Sequence, residues 1–365
     1  MGVGVARDAV SPRADSLLHV RTVASRAMPL LTALLLLISV SSCLAEGPPV
    51  SVKVDFEVAA TPSVVAFFTG NTYGTMRRSS CSDPQLGGFE RRRTYILQCL
   101  SAWENSLVLD SGNLFNCNCA QDKLESWYMI AAFNMMTYDA VGLGPKDFVF
   151  GLEHLKALEK NARFPFLCAN MLDVETRDPV FDAFLIEGST EATVFVTSVI
   201  STDEEELLAE WTRDADGNRT IEMQEPVEAL EPILASHATI ANVVILLAQM
   251  SLDEALKLAE SIPSIDLILL SDREQHEDLI HGTTIISPVG TKSKAIKAVA
   301  LYFDENGSAD RYNIETFPIV EEIEHSYSMV RLYDRLAAAQ SKLSVEDLLQ
   351  PTFYTDKSIY NAPAE

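Results

Sequence analysis

The stretch Phe67–Gly88 reads FFTGNTYGTMRRSSCSDPQLGG. It completes an apolar strand that starts at Val64 and runs through Val65, Ala66, Phe67 and Phe68. The strand ends in a polar, glycine-flanked loop, Gly70-Asn71-Thr72-Tyr73-Gly74. Gly87-Gly88 then launches a helix carrying Arg91, Arg92 and Arg93. A strand that ends in such a loop is where open α/β sheets place their chemistry. Asn71 and its neighbours are therefore the first candidates for a functional site.

Outward from this stretch the same pattern recurs. Apolar spacing predicts a helix over 88–103, then a buried strand Leu107-Val108-Leu109-Asp110 ending in the polar turn Ser111-Gly112-Asn113. A long helix over 121–137 follows, and its Met129, Phe133, Met135 and Met136 read as core material. Strands are expected at 140–143 and 166–170, with a helix at 152–161 between them. A hairpin over 184–199 turns on Gly188-Ser189. The acidic segment 203–225 reads as an exposed insertion, and its Asp214-Ala215-Asp216-Gly217-Asn218 lacks the closing acid of a calcium loop. A helix at 226–239, a strand at 243–247, a helix at 251–261 and a strand at 265–270 come next, the last three reading as a βαβ crossover. Strands at 284–286, 295–303 and 312–318 and a helix at 327–343 complete the chain. Alternating strands and helices followed by a strand-rich portion predict an α/β fold with two sheets packed face to face and helices outside.

Composition narrows the function. Of 365 residues 47% are hydrophobic, as in an ordinary folded domain, and the formal net charge is −24. An acidic chain of this kind excludes nucleic acid as a partner, because phosphate neutralisation needs a basic face. The N-terminus reads as a targeting segment: Arg21 and Arg26 precede an apolar run from Met28 to Val40, too short to span a bilayer and suited to a signal h-region. The run ends in Val40-Ser41-Ser42-Cys43, which resembles a bacterial lipobox with Cys43 as the lipidated residue; the other reading is an ordinary signal peptide cut after Ala45. Export would place the protein in the periplasm. A lipid anchor at Cys43 would tie it to a membrane, the outer one by preference, since Leu44 is not the Asp that retains lipoproteins in the inner membrane. The expected division is a leader at 1–43, a linker at 44–60, the main domain at 61–320 and a C-terminal helix and tail at 321–365.

Five cysteines remain after Cys43, and an oxidising compartment permits disulfides among them. Cys81, Cys117 and Cys119 are loop residues and pairing candidates, whereas Cys168 sits in an apolar run. Cys117-Asn118-Cys119 is not a metal signature by itself. The histidines show no metal spacing, and His276 and His281 read as solvated residues of a polar loop. No Cys-x-x-Cys-His is present to carry a c-type haem.

A series of motifs in order resembles the calcineurin-like metallophosphoesterases, on their 5′-nucleotidase branch. That branch ends its first strand in Thr-Asn-Asp-x-His-Gly and follows it with Gly-Gly-x-x-Arg-Arg, matched here by Thr69-Gly70-Asn71-Thr72-Tyr73-Gly74 and Gly87-Gly88-Phe89-Glu90-Arg91-Arg92. Leu109-Asp110-Ser111-Gly112-Asn113 is similar to its Leu-Asp-x-Gly-Asp. Tyr138-Asp139-Ala140 with Gly144-Pro145-Lys146-Asp147-Phe148 is similar to its Tyr-Asp-Ala and Gly-Asn-His-Glu-Phe. Phe164-Pro165 with Ala169-Asn170 resembles its Phe-Pro and Ala-Asn, and the strands ending near Gln249 and Asp272 resemble those that carry its Ser-His-x-Gly and Gly-His-x-His. The opening loop also resembles a subgroup of bacterial lipoproteins. The resemblance implies a calcineurin-like four-layer α/β/β/α sandwich and, for active members, two divalent metal ions (Mn, Zn or Mg) bridged by an Asp.

Carried over residue by residue, the ligands are altered. Asn71 and Tyr73 stand for the Asp and His of the first metal, and Asn113 stands for the bridging Asp. Pro145 and Lys146 replace the Asn and catalytic His, Gln249 replaces a His, and Asp272 and Glu274 replace the last two. A neutral amide cannot bridge two dications as a carboxylate does, and the imidazoles suited to transition metals are gone. Asn71, Asn113, Gln249, Asp272 and Glu274 are left as an oxygen-only pocket for one hard cation or as a metal-free polar cleft. Arg91 and Arg92 either hold a substrate anion near the helix start or form salt bridges. The expected function is that of a metallophosphoesterase-fold envelope protein that has lost dinuclear-metal catalysis and binds a ligand or an envelope protein partner. The alternative is an active metal-dependent phosphoesterase acting on nucleotides or other phosphate esters.

Overall fold

The computed structural model describes residues 20–22, 61–78, 84–117, 119–188, 192–274 and 276–343. The expected leader with Cys43, the linker at 44–60, Cys81 and the tail beyond Pro351 lie outside the described residues. In chain order the early strands are β1 (Val20–Thr22), β2 (Val64–Thr69), β3 (Ser106–Asp110), β4 (Ala140–Gly142), β5 (Phe166–Leu167) and β6 (Met171–Asp173). Next come β7 (Phe184–Gly188), β8 (Thr193–Ile200), β9 (Ile221–Met223), β10 (Val243–Gln249) and β11 (Leu267–Ser271). The last are β12 (Leu279–His281), β13 (Thr284–Pro288), β14 (Ala295–Phe303) and β15 (Ala309–Pro318). The helices are α1 (Phe89–Ala102), α2 (Ala120–Met136), α3 (Leu152–Glu159), α4 (Glu205–Trp211), α5 (Pro226–His237), α6 (Leu252–Ser261) and α7 (Tyr327–Gln340).

Two sheets hold the core. One runs β15-β14-β2-β3-β4-β5 and the other β1-β7-β8-β10-β11-β13-β12. Their centres are parallel: β2 pairs β3, β3 pairs β4, and β10 lies between β8 and β11. Strands covered on both faces need apolar side chains at every position, which is why β2 and β10 read as unbroken apolar runs. Side chains alternate along β2. Val64, Ala66 and Phe68 enter a cluster with Val194, Val196, Ile245, Leu247, Leu267 and Leu269 of the second sheet. Val65 and Phe67 point the other way, into a cluster with Phe89, Phe133 and Tyr333 of α1, α2 and α7. The outer face of the second sheet packs Phe195, Leu246 and Ile268 against Leu230 of α5 and Leu258 of α6. The layers are therefore helix, sheet, sheet, helix, as the sequence predicts.

Three local expectations need correction. The segment 203–225 is not a solvated insertion: Leu208, Ala209 and Ile221 are buried, and Ile221 belongs to β9, which pairs with β6. Apolar side chains spaced among acids are enough to seat α4 on the core. The strand expected at 166–170 breaks after Leu167, and Asn170 turns inward, where its Nδ2 donates to the carbonyls of Ile200 and Gln224. His276 and His281 are not free in solvent; their Nε2 atoms lie 2.7 Å from Asp272 Oδ2 and 3.1 Å from Glu260 Oε1. The C-terminal helix α7 packs with α1 and α2, and Tyr333 Oη donates to the Met76 carbonyl at 2.7 Å. No described helix is long and apolar enough to cross a membrane.

Candidate functional site

The carboxyl ends of β2, β3, β4, β8, β10 and β11 converge on one cleft of about 570 Å³. Tyr73, Asn113, Lys146, Ser201 and Gln249 reach it from the end of β2, β3, β4, β8 and β10 or the loop after it, and Ser271 and Asp272 reach it together from the end of β11. Sharp turns make this possible. Asn71, Tyr73 and Asn113 all have left-handed backbone, at φ 48°, 47° and 58°. Asparagine accepts that region readily, but tyrosine is strained there, and such strain concentrates at binding sites. Gly144 is glycine for space, since a Cβ there would strike Asn113 Oδ1.

At the floor of the cleft three side-chain amides bind one another. Asn113 Nδ2 donates one hydrogen to Asn71 Oδ1 and the other to Gln249 Oε1, both at 2.9 Å. Asn71 Oδ1 also accepts from Ser271 Oγ at 2.8 Å. Asn113 Oδ1 accepts from the Lys146 amide at 3.0 Å, and Gln249 Nε2 donates to the Ser111 carbonyl. An Asn amide offers two donors and one acceptor oxygen. Asn113 uses all of them within the protein.

This donor set does not fit a dinuclear metal centre. The position that would bridge two cations presents an N–H₂ group aimed at both neighbouring oxygens. Asn71 and Gln249 spend their oxygens on that group. Asp272 is the carboxylate of the expected set that lines the cleft, and it accepts from the Leu252 amide at 3.0 Å and faces His276. Glu274 is exposed and does not line the cleft. Of the five positions expected to offer oxygen ligands, Asn71, Asn113 and Gln249 bond to one another and Asp272 lines the same cleft, while Glu274 does not.

Lys146 lines the cleft, but its ammonium lies 5.7 Å from the centre of the Trp211 ring. Its backbone N–H, not its charge, meets Asn113. Arg91 and Arg92 are buried in α1 and do not line the cleft. Arg91 Nη1 donates to the Gln85 carbonyl at 3.1 Å and its Nε to His325 Nε2 at 3.3 Å; Arg92 Nη1 donates to Tyr138 Oη at 3.1 Å. Arg93 Nε donates to the Met135 carbonyl at 3.0 Å. The arginines thus support the fold through hydrogen bonds to carbonyls, a tyrosine hydroxyl and an imidazole, where salt bridges were the expected alternative to anion binding.

Two buried acids beneath the cleft were missed as site residues. Asp147 accepts from the amides of Gly144 (2.8 Å), Asn113 (2.9 Å) and Leu114 (2.7 Å), clamping the β3 and β4 loops together. Burial pushes its carboxyl up to about 7, against the pull of those amides. Asp110 accepts from Thr69 Oγ1 at 2.5 Å, and burial raises it to about 6. The signal for Asp147 was present, since it occupies the acidic position of the third motif. At the cleft mouth Arg273 pairs with Glu204, and Ser201 Oγ donates to Glu254. Burial raises the Tyr73 hydroxyl above its ordinary value.

Comparison with known proteins agrees with this architecture. No family model matches the chain. The 2′,3′-cyclic-nucleotide 2′-phosphodiesterase/3′-nucleotidase of Haemophilus influenzae is 29% identical over 142 residues, 37% of this chain and 21% of that protein. Snake venom 5′-nucleotidase of Naja atra is 35% identical over 86 residues, 23% of this chain and 16% of that protein. The matches thus span about a fifth or less of the length of these curated relatives. Among solved structures, the sulfate thiohydrolase of Thermus thermophilus aligns with TM-score 0.66 at 17% identity, covering 79% of this chain and 63% of that one. A calcineurin-like phosphoesterase of Bacillus subtilis aligns with TM-score 0.63 at 16% identity, covering 76% and 97%.

Proposed function

We propose that this chain, a calcineurin-like metallophosphoesterase of the 5′-nucleotidase type by sequence relationship and fold, works as a binding protein in a bacterial envelope and not as a dinuclear-metal hydrolase. One observation carries the reading: Asn113 donates both amide hydrogens to the groups with which it would have to share cations. A network whose donors and acceptors are mutually satisfied gains nothing from a cation and loses its hydrogen bonds by admitting one. What remains is a polar cleft of small-molecule size, lined by Tyr73, Lys146, Ser201, Glu254, Asp272 and Arg273. That chemistry suits a polar ligand held by hydrogen bonds. Lipidation at Cys43 would hold the protein at the outer membrane, where an envelope protein partner could reach the cleft.

The second reading is hydrolysis of nucleotides or other phosphate esters. It is favoured by the names of the curated relatives, 2′,3′-cyclic-nucleotide phosphodiesterases and 3′-nucleotidases. In that case two divalent metals would fix the water and offset phosphate charge. One experiment separates the two. Protein purified without chelator is analysed for metal content, then assayed with cyclic nucleotides, nucleotides and a generic phosphodiester after Mn²⁺ addition. Absence of both stoichiometric metal and turnover supports the binding role. Near two equivalents of metal, with turnover lost in Asn113→Ala, establishes the hydrolase instead.

A further inference from the structure

The connection between β3 and α2 carries a second cluster, outside the cleft lining. Cys117 Sγ lies 3.0 Å from Cys119 Sγ and 3.1 Å from Asp122 Oδ2. The three potential ligand atoms all lie within 4.8 Å of one another, and both cysteines are exposed. Two contacts hold this geometry. Asp122 Oδ2 accepts from the Cys117 amide at 3.2 Å, and the Lys123 amide donates to the Cys119 carbonyl at 2.9 Å as α2 begins. Cys-x-Cys alone does not make a metal site. Here the first turn of α2 adds a carboxylate to the two sulfurs, and that is what sequence spacing did not show.

We propose that Cys117, Cys119 and Asp122 bind a thiophilic d¹⁰ cation of the Zn²⁺ class. Two thiolates and a carboxylate are three ligands of a tetrahedral site and leave the fourth position to water or to a ligand from outside the chain. Each thiol gives its proton to solvent as its sulfur–metal bond forms, and no oxidant or reductant is consumed. Without a cation, three negative charges at these distances repel one another. Both sulfurs reach 2.3 Å from one zinc when they stand about 3.8 Å apart, a change that side-chain rotation at two exposed residues supplies. The amino end of the 17-residue α2 adds partial positive charge beside the thiolates. The other described cysteines, Cys99 and Cys168, are buried, so they do not compete for an added cation.

The test uses Cd²⁺ as probe, because cadmium–thiolate bonds absorb in the ultraviolet. Full-length protein is reduced, freed of reductant and metal, and titrated with Cd²⁺. The expected result is a charge-transfer band that saturates at one equivalent, is displaced by Zn²⁺ and ignores Mg²⁺. C117S and C119S should each abolish that band, and D122N should weaken Cd²⁺ binding about tenfold or more, the loss that removing even an outer partner of a ligand brings. All three side chains are surface groups, and unchanged melting temperatures would show that the variants fold. Absence of the band in protein whose two thiols are shown free by alkylation would overturn the proposal. So would a band that survives C117S, or a Cys117–Cys119 disulfide that persists in the reduced preparation. Cleft activity is not read in any arm, so failure here leaves the proposed function standing.

Discussion

Asn113 Nδ2 and Gln249 Oε1 meet at 2.9 Å and join the loop after β3 in one sheet to the end of β10 in the other. The bond crosses the interface between the two sheets at the position to which the motif resemblance assigns a bridging carboxylate. Asn113→Asp removes the amide hydrogens and sets carboxylate oxygen against Asn71 Oδ1 and Gln249 Oε1. Leaving these buried acceptors without donors should cost about 1–3 kcal/mol. The same variant regains the charge that cations need, so added Mn²⁺ should restore part of the lost stability. Thermal melting with and without Mn²⁺ checks both. The wild type should not shift with the metal, and a wild-type shift as large as the variant's would contradict the self-satisfied network.

Asp147 predicts a pH dependence. Its carboxyl titrates near 7 in the fold against an ordinary 3.8, because burial outweighs the pull of three amides. Between those values the folded chain keeps a proton that the unfolded chain has lost. Stability from this group is therefore full below about pH 4 and declines as pH rises to about 7, by at most about 1.4 kcal/mol per pH unit. Asp110, raised to about 6, acts in the same direction over a narrower window. Asp147→Asn should be less stable overall, since its Nδ2 would face an amide donor, yet show a flatter profile. Urea unfolding across about pH 4 to 8 measures the slope. An unchanged slope in the variant would assign the dependence elsewhere.

Asp272 should act in the opposite sense. Burial alone would raise it, but hydrogen bonds from His276 and from the amides of Glu274, Leu252 and Arg273 pull the carboxyl below 3.8. A depressed folded value gives stability that is present above the unfolded value and lost as pH falls through the folded one. Asp272→Asn should therefore flatten the acid limb below about pH 4 while changing the neutral range little. Acid unfolding followed by circular dichroism distinguishes this from a uniform loss at all pH values.

The architecture was legible because β2, β3, β10 and β11 lie between other layers and so carry unbroken apolar runs. The cleft was legible for a related reason: Asn71, Asn113 and Gln249 stand where strands end, and strand ends converge in parallel sheets. What sequence did not show is direction. Lys146 faces Trp211, not the cleft floor, and Asp272 turns to His276; Arg91 reaches the Gln85 carbonyl and His325, and Arg92 reaches Tyr138. Each choice depends on a partner far away in the chain. Arg91 with His325 is 234 residues apart, a pairing no local pattern records.

The segment 203–225 offers the sharpest test of such a misreading. Its acids dominate the sequence, yet Leu208 is fully buried in the core with Met171 and Ile221, while Glu210 two positions on is exposed. One turn of α4 thus contains a core face and a solvated face. Leu208→Ala should cost about 2–5 kcal/mol through lost contacts and the cavity left behind. Glu210→Ala should stay within about 0.5 kcal/mol of wild type. Because α4 also seats Trp211 against Lys146, loosening it should weaken ligand binding in the cleft beyond what the Glu210 variant shows. Chemical denaturation of both variants decides the matter: equal and negligible effects would return the segment to the solvated insertion that its composition suggests.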